Sequence, residues 1–499
     1  MSSKEKKMAA AAEQAKKNRK FYTACIIFIV CLAIVVVAAA LINSDIKETK
    51  TTAITIGETE YSPAEFSYFY RSAVSTTYAS LAENYGDMAA YMLDTQSPLS
   101  EQVYMFGDGT QTWADYFYDV AVTNLMNMTV LYDEAMKNGY TLTEEDKAYI
   151  DSDIAYYEEA ALSYGYSDLE TFLSLNFGKG FDSKLLRQLA EKQYIAAAYA
   201  VDLDESFEYS PEEIEEHYNA NANEYDFVKF HYYLVGTAGE AFADMSDEEK
   251  IAAAHAEAEK IAAAKTSEEF TKLVRDFVPG TSKSLYERTE STMTITQGAS
   301  VSADYKDWVM DSARTEGDST VIDTEGGSYA IMFLSRNDNN YQLADVRHIL
   351  IPALADENDK FTEEALATAK EEAERIYALW QENPTEENFA ALATEHSQDE
   401  SSAVNGGLYR EVYQDYMVEE FNNFIFHEGK QPGDTGIVYG SNGSYAGYHI
   451  LYYVAQGDVF SDRIADSALR AADYNEVVNA LVANYAVAEG SGMKFVNLD

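Results

Sequence analysis

Apolar positions along this chain follow three different patterns. Residues 21–42, FYTACIIFIVCLAIVVVAAALI, form one uncharged run. As a helix it would span roughly 33 Å, enough to cross a bilayer. A helical pattern, rich in Ala, Tyr, Leu and Glu, then fills the chain from Ser62 to about residue 223. Ser62-Pro63-Ala64-Glu65 opens it with an N-cap Ser, a first-turn Pro and a Glu at N3. Gly139 before Thr143-Glu144-Glu145-Asp146 marks a helix end and a new start, and Ser210-Pro211-Glu212-Glu213 opens another helix. Just ahead of this region, Ala53–Tyr61 reads as a strand pair turning at Gly57.

The third pattern is a repeat. A strand-like run, 227-FVKFHYYLV-235 or 346-VRHILI-351, precedes a helix ending Ala-Glu-basic-Ile, at Ala258–Ile261 or Ala373–Ile376. A second helix follows. Its stripe is Phe270, Leu273, Val274 and Phe277 in one copy, and Phe389, Leu392, Ala393 and His396 in the other. Spacing of i, i+3, i+4, i+7 puts each stripe on one helix face. Each copy closes with a short helix, a Gly turn and a strand, 328-SYAIMFL-334 or 447-GYHILYY-453. The order predicts two α+β units, at 224–340 and 341–458, with helices around an antiparallel sheet. The remainder, 459–499, holds an amphipathic helix over 465–487, expected to pack back on the N-terminal helical region.

Length and charge add partners and placement. A chain of 499 residues is expected to form about three or four domains. Its formal charge of −49 argues against nucleic-acid binding, which needs a basic face. Residues 1–20 reverse the sign, with seven Lys/Arg against Glu5 and Glu13. Cations before an apolar run predict that this end is cytoplasmic and that the acidic bulk is exported from a single-pass membrane anchor. A cleavable signal peptide, with Ala38 and Ala40 offering small residues, is the competing reading. Cys25 and Cys31 both lie in the apolar run, so the exported part has neither disulfides nor thiol chemistry.

Candidate chemistry is confined to the second α+β unit. His348 lies in its first strand and His449 in its last; the chain has only 7 histidines. If those strands are neighbours, two imidazoles meet across them. Between them come the polar loop 397-SQDESSAVNGGLYR-410 and 417-MVEEF-421, whose Met417 and Phe421 are predicted to share a helix face. Read by themselves, the histidines also fit a hydrogen-bonded core pair or, with Asp399, a metal site. No G-x-S-x-G elbow supports a hydrolase.

Residues 341–458 resemble a parvulin-type peptidyl-prolyl isomerase domain: RHILI, then S-x-D-x-x-S-A followed by Gly-Gly, then M-x-x-x-F, then GYHI, in order and at the family's spacing. The resemblance implies that His348, His449 and Asp399 are catalytic and that Met417, Phe421, Leu408 and Ser444 bind substrate. It implies neither metal nor cofactor. One departure is the loop, GGLYR where the family usually reads GGDLG. The larger layout is similar to membrane-attached foldases of the PrsA, SurA and PpiD type. That likeness implies a helical chaperone domain at 53–223, two parvulin-like domains and a C-terminal segment at 459–499 that joins the chaperone domain. The implied partners are unfolded exported polypeptides with X-Pro bonds; a homodimer is left open. The first copy reads as degenerate and non-catalytic. It lacks the Asp motif and the Gly-Gly, and Ala330 follows Tyr329 where His449 follows Tyr448. His231 reads there as a packing or edge residue. The rival reading is a non-enzymatic holdase whose parvulin units only bind clients.

Overall fold

The computed structural model describes residues 45–238, 245–356, 360–427, 429–441 and 445–499. The basic segment 1–20 and the apolar run 21–42 lie outside the described residues. Among those described, no helix is long and apolar enough to cross a membrane. The chain divides into two compact units, one reaching Glu208 and including Ala471–Asp499, the other spanning Tyr209–Arg470.

The first unit is mainly helical. Strands β1 (Ile54–Ile56) and β2 (Thr59–Tyr61) turn at Gly57, which takes φ +60°. Helix α1 (Pro63–Tyr85) starts from a complete capping box between Ser62 and Glu65. Thr112 with Asp115 and Thr143 with Asp146 cap α2 (Trp113–Lys137) and α3 (Glu144–Ser163) in the same way. Each box satisfies two backbone N–H groups that a helix start leaves unpaired. Helices α4 (Leu169–Phe177) and α5 (Ser183–Glu205) complete the bundle. Its core is aromatic: Trp113, Phe117, Phe66, Tyr61 and Tyr70 are almost completely buried. The C-terminal residues are built into this unit. Val487–Glu489 pairs antiparallel with β1, and the Tyr70 hydroxyl donates to the Leu498 carbonyl at 2.5 Å.

The second unit opens with α6 (Pro211–Ala220) and holds two four-stranded antiparallel sheets of one design. In the first copy, strand β3 (Phe227–Gly236) leads to α7 (Asp247–Ala262), α8 (Ser267–Phe277), β4 (Met293–Gln297), β5 (Ser319–Thr324) and β6 (Gly327–Asn337). In the second, β7 (Gln342–Pro352) leads to α9 (Glu363–Glu382), α10 (Glu386–His396), β8 (Leu408–Val412), α11 (Glu419–Ile425), β9 (Thr435–Ser441) and β10 (Ala446–Val459). The orders β4-β3-β6-β5 and β8-β7-β10-β9 place the opening and closing strands of each copy together at the centre. The architecture is α+β. Helix α12 (Phe460–Val482) follows β10 directly.

Each sheet packs one face on its helix pair. Phe270 and Phe389, the first residues of the two stripes, have no exposed surface and anchor equivalent clusters. Truncating a buried Phe loses transfer free energy and leaves a cavity. Phe270→Ala and Phe389→Ala are each expected to cost about 3–5 kcal/mol in urea unfolding of the second unit. A loss below about 1 kcal/mol at either site would contradict this core assignment.

Candidate functional site

The site begins with strand register. β10 pairs antiparallel with β7, His348 opposite Leu451 and His449 opposite Leu350. Side chains alternate between faces, and the two-residue offset makes the histidines diagonal neighbours on one face. Their Nδ1 atoms lie 3.3 Å apart and their rings are nearly parallel, at 15°. Phe421 meets both rings edge-on, with centroids at 5.6 and 5.4 Å. Only 4% of His348 and 5% of His449 is exposed.

Asp399 reaches His348 from the loop after α10. The loop lies against β7 because Gly406 and Gly407 both take left-handed φ, +65° and +72°. The Gly407 carbonyl accepts the His348 N–H at 2.8 Å, and a Cβ on Gly407 would stand 2.2 Å from the His348 carbonyl oxygen. Only glycine fits there. The Asp399 carboxylate then accepts four hydrogen bonds. To Oδ2 come His348 Nε2 at 2.7 Å, Ser402 Oγ at 2.5 Å and the Tyr409 hydroxyl at 2.9 Å; Ser401 Oγ reaches Oδ1 at 2.7 Å. His348, then the hydroxyls, hold this carboxyl far below the usual carboxylate range, against the opposing effect of burial. An ionised carboxylate only accepts, so the facing Nε2 of His348 carries a hydrogen. Burial, and next the neighbouring His348, push His449 down to about 3, so that ring is neutral near pH 7. A hydroxyl from Tyr445 lies 2.9 Å from its Nε2.

The structure brings together His348, His449, Asp399 and Phe421. It redirects three other expectations. Leu408 pairs with Arg347 and Tyr409 with Val346, so Leu408 lies on the opposite sheet face from the imidazoles. Tyr409 is on the site's face, its ring 5.2 Å from that of His348. Met417 is half-buried against the cluster that holds Phe421, but it precedes α11, whose N-cap is Val418, so the two do not share a helix face. Phe421 has no exposed surface and backs the imidazoles rather than offering a wall to a ligand. Ser444 lies outside the described residues. Sequence reasoning missed Tyr409, Ser401 and Tyr445. Tyr409 stood inside the departure GGLYR, and Ser401 inside the Asp motif; Tyr445 carried no signal beyond its closeness to GYH.

The sheet register also revises the comparison between copies. Gly327 and Gly236 pair at the strand ends of the first copy, as Gly447 and Pro352 do in the second. Counting from there, Tyr329 takes the place of His449 and Tyr232 that of His348. Ala330 instead faces α7 in the helix-side cluster, as Ile450 faces α9. Tyr232 and Tyr329 flank Tyr305, with ring centroids at 6.2 and 5.0 Å. His231 is on the helix side, fully buried in a central strand, stacked on Phe270 and 2.9 Å from Thr292 Oγ1. It is a core residue rather than an edge residue. Among the described residues, no group of three or more His, Cys, Asp or Glu could hold a metal ion.

Residues 329–453 match the family model of the PPIC-type PPIase domain. No curated protein matches the chain. Among solved structures, the peptidylprolyl isomerase PrsA from Bacillus anthracis is 11% identical, covering 76% of this chain and 98% of that one, with a TM-score of 0.19. Foldase protein PrsA from Streptococcus pneumoniae is 9% identical, covering 76% and 84%, with a TM-score of 0.26. At such TM-scores these likenesses fix neither fold nor function.

The depressed His449 has a consequence for stability. An unfolded His takes up its proton near pH 6.5, whereas folded His449 does so only near 3. The unfolded chain therefore binds more protons between these values. Stability is lost as pH falls from about 6.5 toward 3, by up to about 1.4 kcal/mol per pH unit from this residue. His231, pushed down to about 4 by burial, adds in the same direction. Between pH 7 and 5, unfolding free energies from urea titration are expected to shift by about 2 kcal/mol in favour of His449→Gln relative to the unsubstituted chain. A difference independent of pH would contradict a buried, neutral His449.

Proposed function

Because the chain carries a PPIC-type PPIase domain, we propose that it catalyses cis–trans isomerisation of X-Pro bonds in unfolded or partly folded exported polypeptides. The observation that carries this reading is the His348–His449 pair joined to Asp399 within the matched residues. Rotation about a peptide bond faces a barrier of roughly 18–20 kcal/mol, and X-Pro exchange takes tens to hundreds of seconds. No nucleophile or cofactor is required; the site need only bind the twisted amide better than either planar form. Asp399 is saturated with donors and stays ionised, so its role is to hold His348 in place. The imidazoles then stand preorganised beside the rotating amide, with the half-buried Met417 and the Tyr409 ring as apolar surface. In this reading the first copy, with tyrosines at both histidine positions, is non-catalytic.

The same proposal places the protein on a membrane. Residues 21–42 would anchor it, with residues 1–20 in the cytoplasm and the rest outside. The helical unit would hold client chains. Its surface leaves Tyr91, Tyr164, Tyr156 and Leu175 at 70% exposure or more, an apolar display suited to unfolded segments. That display also favours the second reading, a holdase without catalysis.

A coupled proline-isomerisation assay on the full chain separates the two. Catalysis is expected, falling about a hundredfold in His449→Ala and in Asp399→Asn. A folded chain no faster than buffer would leave only the holdase. For placement, protease added outside intact cells is expected to digest the part after residue 42, and protection would refute the orientation. For client binding, residues 209–470 alone are expected to lose suppression of client aggregation; full suppression would remove that role from the helical unit.

A further inference from the structure

Strand order brings the two α+β copies together at one place. β8 runs antiparallel to β7, with Val412 opposite Ala344, so the loop leaving β8 lies beside the start of β7. The linker 338–341 from the first copy enters β7 at that same end. In the first copy, Phe227 opens β3 and pairs with Asn337, the last residue of β6. The loop 413–418 is therefore held against Phe227, Asn337 and the linker. The Phe227 ring lies 5.5 Å from that of Tyr413, which stacks on Phe460 at 5.2 Å and 13°. Asn337 Nδ2 donates to Gln414 Oε1 at 3.0 Å, and the Gln414 N–H donates to the Tyr341 hydroxyl at 3.0 Å.

The same loop reaches the candidate site. The Asp415 N–H donates to Asn422 Oδ1 on α11 at 2.8 Å. Tyr341 meets Phe426, the residue after α11, edge-on with ring centroids at 5.6 Å. Met417 follows Gln414 by three residues and is half-buried in the cluster that holds Phe421. We propose that Gln414 is a positioning residue, through which the non-catalytic first copy fixes the segment 413–421 and with it the Met417 surface offered to substrate. This rests on the isomerase reading only for its consequence in substrate binding.

Two features set this junction apart from ordinary packing. Among the described residues, three other than glycine take left-handed φ: Asn339 at +57°, Glu411 at +52° and Asp415 at +62°. All three lie here. Such backbone is costly and persists where its surroundings fix it. Asn339 is fixed by burial, and its side-chain amide donates to the Tyr218 hydroxyl and the Tyr225 carbonyl, each at 2.9 Å. The second feature is direction. Asn337 Oδ1 accepts the Asn339 N–H at 2.9 Å, so Nδ2 is the group left to face Gln414. The linker thus sets the orientation of the Asn337 amide, and that amide selects Oε1 of Gln414 as its acceptor.

Gln414→Ala removes the contact between side chains and leaves the imidazole pair untouched. With the methionine methyls of the full chain labelled with carbon-13, the Met417 resonance is expected to move. It is expected to move in Asn337→Ala as well, although that residue belongs to the first copy. KM for a proline-containing peptide is expected to rise about three- to tenfold in each, with the turnover number held within about a factor of two. The double variant is expected to match Asn337→Ala, because the contact is already lost there. Gln414→Glu, whose carboxylate still accepts from Asn337 Nδ2, is expected to keep both the Met417 resonance and KM. An unmoved Met417 resonance in Gln414→Ala overturns the proposal, as do additive effects in the double variant. If the resonance moves and KM does not, the role in substrate binding is overturned. If the unsubstituted chain is inactive, the isomerase reading fails, and the resonance alone decides whether the first copy positions this segment.

Discussion

Everything at the candidate site depends on the pairing of β7 with β10. These strands are separated by almost the whole domain in sequence, yet they lie side by side at the centre of its sheet. Their register decides that His348 and His449 share a face and stand diagonally, close enough for their Nδ1 atoms to meet. A slip of one residue would turn one imidazole into the helix-side core. The first copy illustrates the point: the histidine of its opening strand, His231, lies on the helix side and stacks on Phe270 instead of joining a pair.

The pairing alone would leave two buried polar rings in want of partners. Burial favours neutral imidazoles, and Asp399 offsets part of that cost by accepting from His348. The carboxylate can do so as a stable anion because three hydroxyls also point at it. The loop that delivers it is shaped by Gly406 and Gly407, so backbone conformation and electrostatics are coupled at this place. Phe421 packs edge-on against both rings.

Much of this was legible in the sequence where a pattern repeats or a residue is rare. The two α+β copies followed from their matching helix stripes, and the helix starts from Ser-Pro-x-Glu and Thr-x-x-Asp boxes that the structure realises at Ser62, Thr143 and Ser210. The histidines and Asp399 stood out as polar residues at fixed spacing in apolar surroundings. What failed was parity. Leu408 and Tyr409 differ by one position in a strand whose register is set by distant Val346 and Arg347, and nothing local says which of them faces the imidazoles. Ala330 and Tyr329 were confused in the same way. Met417 falls outside the helix because Val418 takes the N-cap place, at φ −56° and ψ 153°, and the helix starts only at Glu419. Tyr445 was hidden because its role is created by the return of β10 beside β9 and β7, a tertiary event.

The central claim is that the imidazole pair held by Asp399 turns over X-Pro bonds. Magnetisation-exchange NMR on a proline-containing peptide, with the full chain at catalytic concentration, tests it without a coupling enzyme. The account requires exchange cross-peaks between the cis and trans forms on the seconds timescale, lost when Asp399 is replaced by Asn. A spectrum identical to that of the free peptide, from a folded chain with the His348–His449 contact intact, would contradict it.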